Sequence, residues 1–174
     1  MISLVGLPGS GKSTVGRHLA RRLQVPFLDS DHEIEARLGR TIRDFFEHEG
    51  EQSFRDIEES VIDRLTRERE GVLSTGGGVV LRPANRQHLR ERTTVFYLNA
   101  LPEDLARRMR HDTVRPLLQV ADPLAKLREL HAQRDPFYRE TAHYVLDTAR
   151  PSVNTLVNMI AMQLELSGGA RPGQ

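Results

Sequence analysis

The chain has 174 residues, 38% of them hydrophobic, which is enough for one domain with a sizeable core. Its 25 basic and 24 acidic residues leave a net charge of +1, so no overall field favours nucleic acid or a membrane as a partner. The absence of cysteine excludes disulfides and thiolate metal sites, and the seven histidines are scattered without a zinc-binding pattern.

The first predicted elements are a strand, a glycine-rich loop and a helix. Residues 2–5 are a short apolar run typical of a buried parallel strand. The helix follows, with apolar residues at helical spacing: Val15, Leu19 and Leu23. Between them, residues 6–13 match the P-loop pattern G-x-x-x-x-G-K-[ST] at every fixed position. The strand and helix supply the context that this motif needs, so a chance glycine turn explains it poorly.

The P-loop predicts a site for nucleotide phosphates. Its glycines permit left-handed backbone and close approach, so N–H groups at a helix N-terminus can point at phosphate oxygens. We expect Lys12 to reach the β- and γ-phosphates and the Ser13 hydroxyl to bind Mg²⁺. Of the 25 basic residues only Lys12 and Lys126 are lysine, which indicates that a compact ammonium is needed in the loop.

A second short strand, predicted at 25–28, ends in two carboxylates, Asp29 and Asp31. At the carboxyl end of a strand in an open α/β sheet, they face the crevice where such sheets bind ligands. Beside a P-loop, one carboxylate can hold Mg²⁺ through water while the other accepts a hydrogen bond or a proton from an acceptor hydroxyl. The alternative is a turn in which Asp31 caps a helix that starts near His32.

A polar helical segment from Ile34 to Gly50, broken at Gly39, is expected to be a peripheral insertion. The next helix is amphipathic, with apolar residues three and four positions apart: Phe54, Ile57, Val61, Ile62 and Leu65. Arg55 and Glu58 lie three residues apart on its flank and can pair with each other. A solvated helix charge is the commoner role for such an arginine.

The third predicted strand, at 72–74, leads through Thr75 into three glycines, Gly76, Gly77 and Gly78. Many P-loop proteins have a Mg²⁺-binding aspartate at the end of such a strand, and this chain has none there. The metal-side acid is therefore expected in the Asp29 to Asp31 pair. Three consecutive glycines cost backbone entropy, so we expect a ligand to pack against bare backbone in this loop.

The fourth predicted strand, at 95–98, precedes a helix that begins near Pro102. Four arginines crowd the polar stretch that follows: Arg107, Arg108, Arg110 and Arg115. Guanidinium groups so close together repel one another unless anions bind, which suits a mobile segment that closes over phosphates. A solvated basic face is the alternative.

The remaining chain continues the alternation of helix and strand. A helix opens at Pro123, the fifth strand lies at 144–146, and the last helix runs over 153–166. Five short strands alternating with helices predict a three-layer α/β/α protein with a parallel sheet. We expect one domain over 1–166 and a flexible tail at 167–174. No stretch approaches the roughly 20 apolar residues of a membrane span and no signal peptide precedes the first strand, so we expect a cytoplasmic location.

The ordered motifs resemble those of shikimate kinases, in the nucleoside-monophosphate-kinase branch of P-loop proteins. Five motifs besides the P-loop carry this resemblance: Phe27-x-Asp29-x-Asp31, Phe54-Arg55-x-x-Glu58, Gly76-Gly77-Gly78, Arg115-Pro116-Leu117 and Arg134-x-Pro136-x-Tyr138. It covers residues 1–166. It implies a P-loop kinase fold with the strand order 2-3-1-4-5 and a monomeric state. It also implies a substrate-binding helical region near 32–60 and a mobile lid near 108–122.

The resemblance further implies a reaction and a role for each site residue. The reaction transfers the ATP γ-phosphoryl group to the 3-hydroxyl of shikimate, with Mg²⁺, in aromatic amino acid biosynthesis. The implied nucleotide contacts are Gly9, Ser10, Gly11, Lys12, Ser13, Thr14, Arg108, Arg115 and Arg150, and the implied Mg²⁺ ligands are Ser13 and, through water, Asp29. The implied shikimate contacts are Asp31 on ring hydroxyls, Arg55 and Arg134 on the carboxylate, and the backbone of Gly76, Gly77 and Gly78. The implied catalytic residues are Lys12, Asp31 and Arg115.

The sequence is compatible with two other functions. One is a kinase for another small acceptor, such as gluconate or a nucleoside monophosphate, which the paired arginines and the glycine run disfavour. The other is a nucleotide-dependent switch. Guanine-specific switches carry N-K-x-D after a strand, and this chain has Asn99-Ala100-Leu101-Pro102 there instead.

Overall fold

A computed structural model describes residues 1–110 and 120–168 of the chain. Five parallel strands form one sheet in the order β2-β3-β1-β4-β5, which confirms the predicted fold and strand order. The strands are β1 (Ile2–Val5), β2 (Phe27–Asp29), β3 (Val72–Ser74), β4 (Thr94–Asn99) and β5 (Tyr144–Asp147). The helices are α1 (Lys12–Leu23), α2 (Ser30–Leu38), α3 (Ile42–Leu65), α4 (Pro83–Arg92), α5 (Pro102–Arg108), α6 (Pro123–Thr141) and α7 (Val153–Leu166), and a 3₁₀ turn spans Val79–Leu81.

Helices cover both faces of the sheet, which gives three layers. Successive side chains of a strand point to opposite faces, so Phe96 packs with α1 and α7 whereas Tyr97 packs with the helices of the other face, α2 to α6. Because both faces are buried, the strands are apolar along most of their length. All strands run in one direction, so the loops after β1, β2 and β3 meet at one edge of the sheet.

The second strand begins at Phe27, two residues later than the apolar pattern predicts. The N–H of Val25 donates to the carbonyl of Ala20 at 3.0 Å, so it ends α1 instead of pairing in the sheet. Pro26 has no N–H to donate. The helix after this strand also starts earlier than the turn interpretation predicts. Its N-cap is Asp29, not Asp31.

The predicted break at Gly39 is confirmed, since this residue ends α2 with φ +68°. A second break lies inside α3 at Gly50, whose φ of +85° and ψ of 172° divide the helix into two stretches. No side chain crowds Gly50, so its left-handed conformation is what favours glycine there. The second stretch carries the predicted apolar stripe together with Arg55 and Glu58.

The segment 79–92 forms a 3₁₀ turn and α4, where the sequence pattern predicts no element. Val79 and Val80 are fully buried, and the Asn85 amide donates to the Val79 carbonyl at 3.0 Å. Pro83 in the first turn is a typical helix-start signal. The helix itself is too polar to show a clear hydrophobic period, which explains why the pattern misses it.

Parts of two predicted segments lie outside the described residues. They are Arg115 with most of the predicted lid, at 111–119, and the end of the predicted tail, at 169–174. In the part of the chain that the structure describes, no helix has the length and apolar character needed to cross a membrane.

Candidate active site

The P-loop connects β1 to α1 and folds around the Lys12 side chain. Gly9 and Gly11 have φ of +82° and +94°, which L side chains rarely adopt. The Lys12 ammonium donates to the carbonyls of Gly6 at 2.7 Å and Leu7 at 2.8 Å, and only 7% of the residue is exposed. The charge is therefore held at the mouth of the loop, within the cavity that the loop lines.

Other predicted P-loop contacts differ in accessibility. The Thr14 side chain is exposed next to the loop, whereas Ser10 is buried. The Ser10 N–H donates to the Leu7 carbonyl at 3.1 Å, inside the loop. Its hydroxyl has no hydrogen-bond partner among the described residues and packs toward Gly6. Ser10 thus shapes the loop, and its predicted phosphate contact stays a prediction.

Three oxygen-bearing side chains meet at the start of α1. The Ser13 hydroxyl donates to Asp29 Oδ2 at 3.1 Å and lies 3.3 Å from the Ser74 hydroxyl. The other oxygen of Asp29, Oδ1, accepts the N–H groups of Asp31 and His32, so the cap fixes the direction of Oδ2 toward Ser13. Hard oxygen donors of this kind suit Mg²⁺, which usually keeps several waters and takes only one or two protein ligands. No group of three or more acidic, histidine or cysteine side chains able to hold a metal occurs in 1–110 or 120–168.

Asp31 lies across the same cavity from the P-loop. Burial and the neighbouring Asp29 carboxylate raise its pKa to about 6, and Glu35 adds to this, while Lys12 and Arg55 oppose the rise. A carboxyl group with this pKa is mostly ionised at neutral pH but holds protons more readily than an ordinary aspartate. Asp31 is therefore suited to accept a proton or a strong hydrogen bond from a hydroxyl.

Each of the three glycines after β3 lies against a different side chain of the site. A Cβ on Gly76 would come within 2.7 Å of Asp31 Oδ1, and one on Gly77 within 2.7 Å of the Pro8 ring and 3.3 Å of Arg134 Nη1. A Cβ on Gly78 would overlap the Arg55 guanidinium. The run of glycines is thus explained by close approach of side chains, and none of the three has a left-handed φ.

The predicted pair of Arg55 and Glu58 is confirmed, with Nη1 and Oε1 at 2.9 Å. Only 11% of the Arg55 side chain and 1% of the Glu58 side chain are exposed, so Arg55 is not a solvated helix charge. Burial raises the pKa of Glu58, and the Arg55 charge and hydrogen bond oppose that rise. The Nε atoms of Arg55 and Arg134 are buried without a hydrogen-bond partner among the described residues. Each guanidinium group therefore has a hydrogen-bond donor that no described residue satisfies.

A cavity of about 280 Å³ joins the two halves of the site. It runs from the P-loop past Ser13 and Asp29 to Asp31 and to Gly76 and Gly77. These two residues belong to the loop at 76–78, which we call the glycine loop. Phosphates at the P-loop would therefore share one space with a hydroxyl at Asp31. This is the arrangement that direct phosphoryl transfer between two bound substrates requires.

The structure says less about the three arginines that are predicted to contact the nucleotide, Arg108, Arg115 and Arg150. Arg108 ends α5 and donates to the Thr148 carbonyl at 2.8 Å, which ties this helix to the loop after β5. Arg150, in that same loop, is exposed. Their contact with the nucleotide stays a prediction, and Arg115 is outside the described residues.

Three residues of the site, Ser74, Pro8 and Tyr138, have no role assigned from the sequence, and Glu58 is assigned only its pairing with Arg55. Ser74 borders Ser13, Pro8 packs on Gly77, Glu58 holds Arg55, and the Tyr138 hydroxyl donates to the Gly77 carbonyl. The spacing of Glu58 from Arg55 and the position of Ser74 at the end of β3 are sequence signals for these two residues. Tyr138 belongs to the motif Arg134-x-Pro136-x-Tyr138, but its contact with the loop at 76–78, like that of Pro8, depends on tertiary packing that the sequence pattern does not show.

Comparisons with known proteins agree with this geometry. The sequence profile of the shikimate kinase family matches residues 8–165. Shikimate kinases of Paracidovorax citrulli and Ralstonia nicotianae are 63% and 60% identical to the chain, over 96% of it in each case and over 93% and 88% of their own lengths. A solved structure of shikimate kinase from Acinetobacter baumannii in complex with shikimate has a TM-score of 0.90 and 48% identity, covering 97% of this chain and 94% of that one. A family match over most of the sequence, with relatives this similar along nearly their full lengths, means that the chain belongs to the shikimate kinase family.

Proposed function

We propose that the chain transfers the γ-phosphoryl group of ATP to the 3-hydroxyl of shikimate. As a shikimate kinase the chain is an ATP-dependent enzyme that uses Mg²⁺. The observation that carries the proposal is the glycine loop. Three side chains suited to hold a hydroxylated carboxylic acid, Asp31, Arg55 and Arg134, reach three consecutive glycines beside the P-loop cavity.

The two arginines bind the carboxylate of the acceptor in this proposal. Guanidinium groups form strong, directional hydrogen bonds with carboxylates, and both have a buried Nε that lacks a partner among the described residues. Arg55 is fixed by Glu58, and Arg134 lies against Gly77. We propose that the acceptor lies between these arginines and Asp31.

Asp31 orients the 3-hydroxyl and receives its proton as the reaction proceeds. The hydroxyl oxygen forms a bond to the γ-phosphorus, the bond from that phosphorus to the oxygen bridging to the β-phosphate breaks, and ADP leaves. The Lys12 ammonium balances the charge that gathers on the leaving oxygen and on the transferred group. Mg²⁺, held by Ser13 and through water by Asp29, neutralises phosphate charge when it is bound. Arg115 is proposed to contribute to the same charge balance.

The direct test is a coupled assay of ADP release with ATP and Mg²⁺, in which shikimate, gluconate and AMP are supplied in parallel at equal concentration. We expect release to depend on shikimate alone. Release driven by gluconate or AMP would reassign the acceptor half of the site. Slow hydrolysis that no acceptor accelerates would support a nucleotide-dependent switch and contradict the proposal.

The raised pKa of Asp31 predicts an acidic limit to activity. Only the carboxylate form can receive the hydroxyl proton, so activity should fall as the pH drops through about 6, the pKa of Asp31 in the free protein. With both substrates well below their KM, the rate reports the free enzyme, and it should fall about tenfold per pH unit below that point.

A matched variant tests the origin of this limit. The Glu35 carboxylate helps to raise the pKa of Asp31, and its Oε2 accepts the Ile42 N–H at 2.9 Å. Glu35→Gln removes the charge and keeps an oxygen acceptor, so the acidic limit should move to lower pH. A limit that stays in place in Glu35→Gln, or one that lies below pH 5 in the unaltered enzyme, would contradict the role of Asp31.

We also propose that the enzyme is a monomer located in the cytoplasm. The monomeric state follows from the family resemblance, and light scattering after size-exclusion chromatography tests it. Fractionation of the cells tests the cytoplasmic location.

A further inference from the structure

The glycine loop has no side chains that could anchor it to the rest of the protein. Residues 76–78 carry no side chains, so contacts from other elements must fix their peptide groups. The Gly76 N–H donates to the Ser30 hydroxyl at 3.1 Å, and the Gly76 carbonyl accepts the Val79 N–H at 3.1 Å. The centre of the loop, at Gly77, depends on a contact from α6.

That contact comes from Tyr138, whose hydroxyl donates to the Gly77 carbonyl at 2.6 Å. The residue is fully buried, and its ring packs on Tyr97 with 4.9 Å between the ring centroids. A trans peptide is planar, so fixing the Gly77 carbonyl also fixes the direction of the Gly78 N–H on the opposite side of the same peptide group. One hydroxyl thus sets the orientation of a polar peptide group in the middle of the loop.

Tyr138 also acts on Arg134, one turn earlier on α6. Burial raises the pKa of the Tyr138 phenol to about 12, and the charge and hydrogen bond of Arg134 oppose that rise. Arg134 Nη1 lies against Gly77 on the same side of the loop. The phenol therefore has a donor role toward the loop and an acceptor role toward the guanidinium.

We infer that Tyr138 is a positioning residue for the acceptor, which fixes the glycine loop and the Arg134 guanidinium in the geometry that binds shikimate. This inference rests on the proposed function. The loss of the Tyr138 hydroxyl should affect the two substrates differently, because the P-loop and Lys12, and not α6, hold the nucleotide phosphates in the proposed function. Loss of the hydroxyl should therefore weaken acceptor binding selectively.

The chain offers a matched set of variants, since its three tyrosines all have hydrogen-bonded hydroxyls. Tyr138→Phe keeps the ring packing and removes the bond to Gly77. Tyr97→Phe removes a bond of 2.8 Å to Asp135, which also attaches α6 to the sheet, and Tyr144→Phe removes a bond of 2.7 Å to Ser167, at the end of α7. The first control tests general anchoring of α6, and the second tests the loss of a hydroxyl elsewhere.

We expect Tyr138→Phe to raise the KM for shikimate and its Kd by calorimetry about tenfold, the range for an unsatisfied buried carbonyl, with the KM for ATP unchanged. The two control variants should lower Tm without raising the KM for shikimate. The inference is overturned if Tyr138→Phe lowers Tm alone, if the KM values of both substrates rise together, or if Tyr97→Phe has the same effect on the KM for shikimate. If the unaltered chain shows no shikimate-dependent ADP release, the proposed function itself fails and the inference falls with it.

Discussion

Replacing Asp31 by asparagine is expected to lower kcat by about 10²–10⁴-fold, the usual contribution of a positioned acid–base group. Asparagine keeps the size of the side chain but cannot take the hydroxyl proton. The nucleotide half of the site should be unaffected, because Lys12 is held by the Gly6 and Leu7 carbonyls and Ser13 by Asp29. Steady-state kinetics with ATP binding measured by calorimetry would check this. Loss of nucleotide affinity in the variant would contradict the assignment.

The same substitution should make the free protein more stable. The pKa of Asp31 is raised from 3.8 to about 6, so the fold favours the protonated form and penalises the carboxylate. The cost is fully present above pH 6 and amounts to up to about 3 kcal/mol, since one pKa unit is about 1.4 kcal/mol. Asp31→Asn should therefore raise Tm by several degrees at pH 7.5, and the gain should shrink as the pH is lowered toward 4. A gain in Tm that is independent of pH, or a loss at pH 7.5, would show that the ionised Asp31 carries no such cost.

The sequence predicts which motifs come together in the active site. Motifs with fixed spacing, such as the P-loop and the Asp29 to Asp31 pair, sit on strands whose carboxyl ends must meet at one edge of a parallel sheet. Their convergence on one cavity therefore follows from the fold class. The apolar periodicity predicts the strands and α7 because burial on a defined face dictates those residues.

Other features depend on contacts that no local pattern encodes. The run at Gly76 to Gly78 signals a crowded loop, but only the packing of α3, α6 and the P-loop shows that Arg55 and Pro8 fill the space. The polar helix α4 escapes detection because a small buried face at Leu89 suffices to fix it. Asp29 rather than Asp31 caps α2, a choice that depends on where β2 ends.

Replacing Arg55 by methionine is expected to damage both acceptor binding and stability. Removing the proposed charged hydrogen-bond donor to the acceptor carboxylate should raise the KM for shikimate by about 10–100-fold. The change also leaves the Glu58 carboxyl, 1% exposed, without its hydrogen-bonded counter-charge, so that only the weaker effect of Arg134 still opposes its burial. Breaking a buried ion pair by removing one partner typically costs about 3–5 kcal/mol. Kinetics with shikimate and with ATP, together with chemical denaturation, would measure both effects.

The loss of stability in Arg55→Met should depend on pH in a defined direction. Burial already raises the pKa of Glu58, and without Arg55 it rises further, so the folded variant prefers a protonated Glu58. The group then costs little near pH 4.5, where the unfolded chain also binds the proton, and progressively more as the pH increases. Denaturation midpoints of Arg55→Met should therefore approach those of the unaltered protein at low pH and separate from them above neutrality.

The double variant Arg55→Met/Glu58→Gln separates the two roles of the arginine. Glutamine is neutral at every pH, so the double variant should recover most of the stability lost in Arg55→Met and lose its pH dependence. It should not recover the affinity for shikimate, because the guanidinium is still missing. Recovery of both properties would mean that Arg55 acts only by neutralising Glu58, and the acceptor carboxylate would then have to be held by Arg134 without its help.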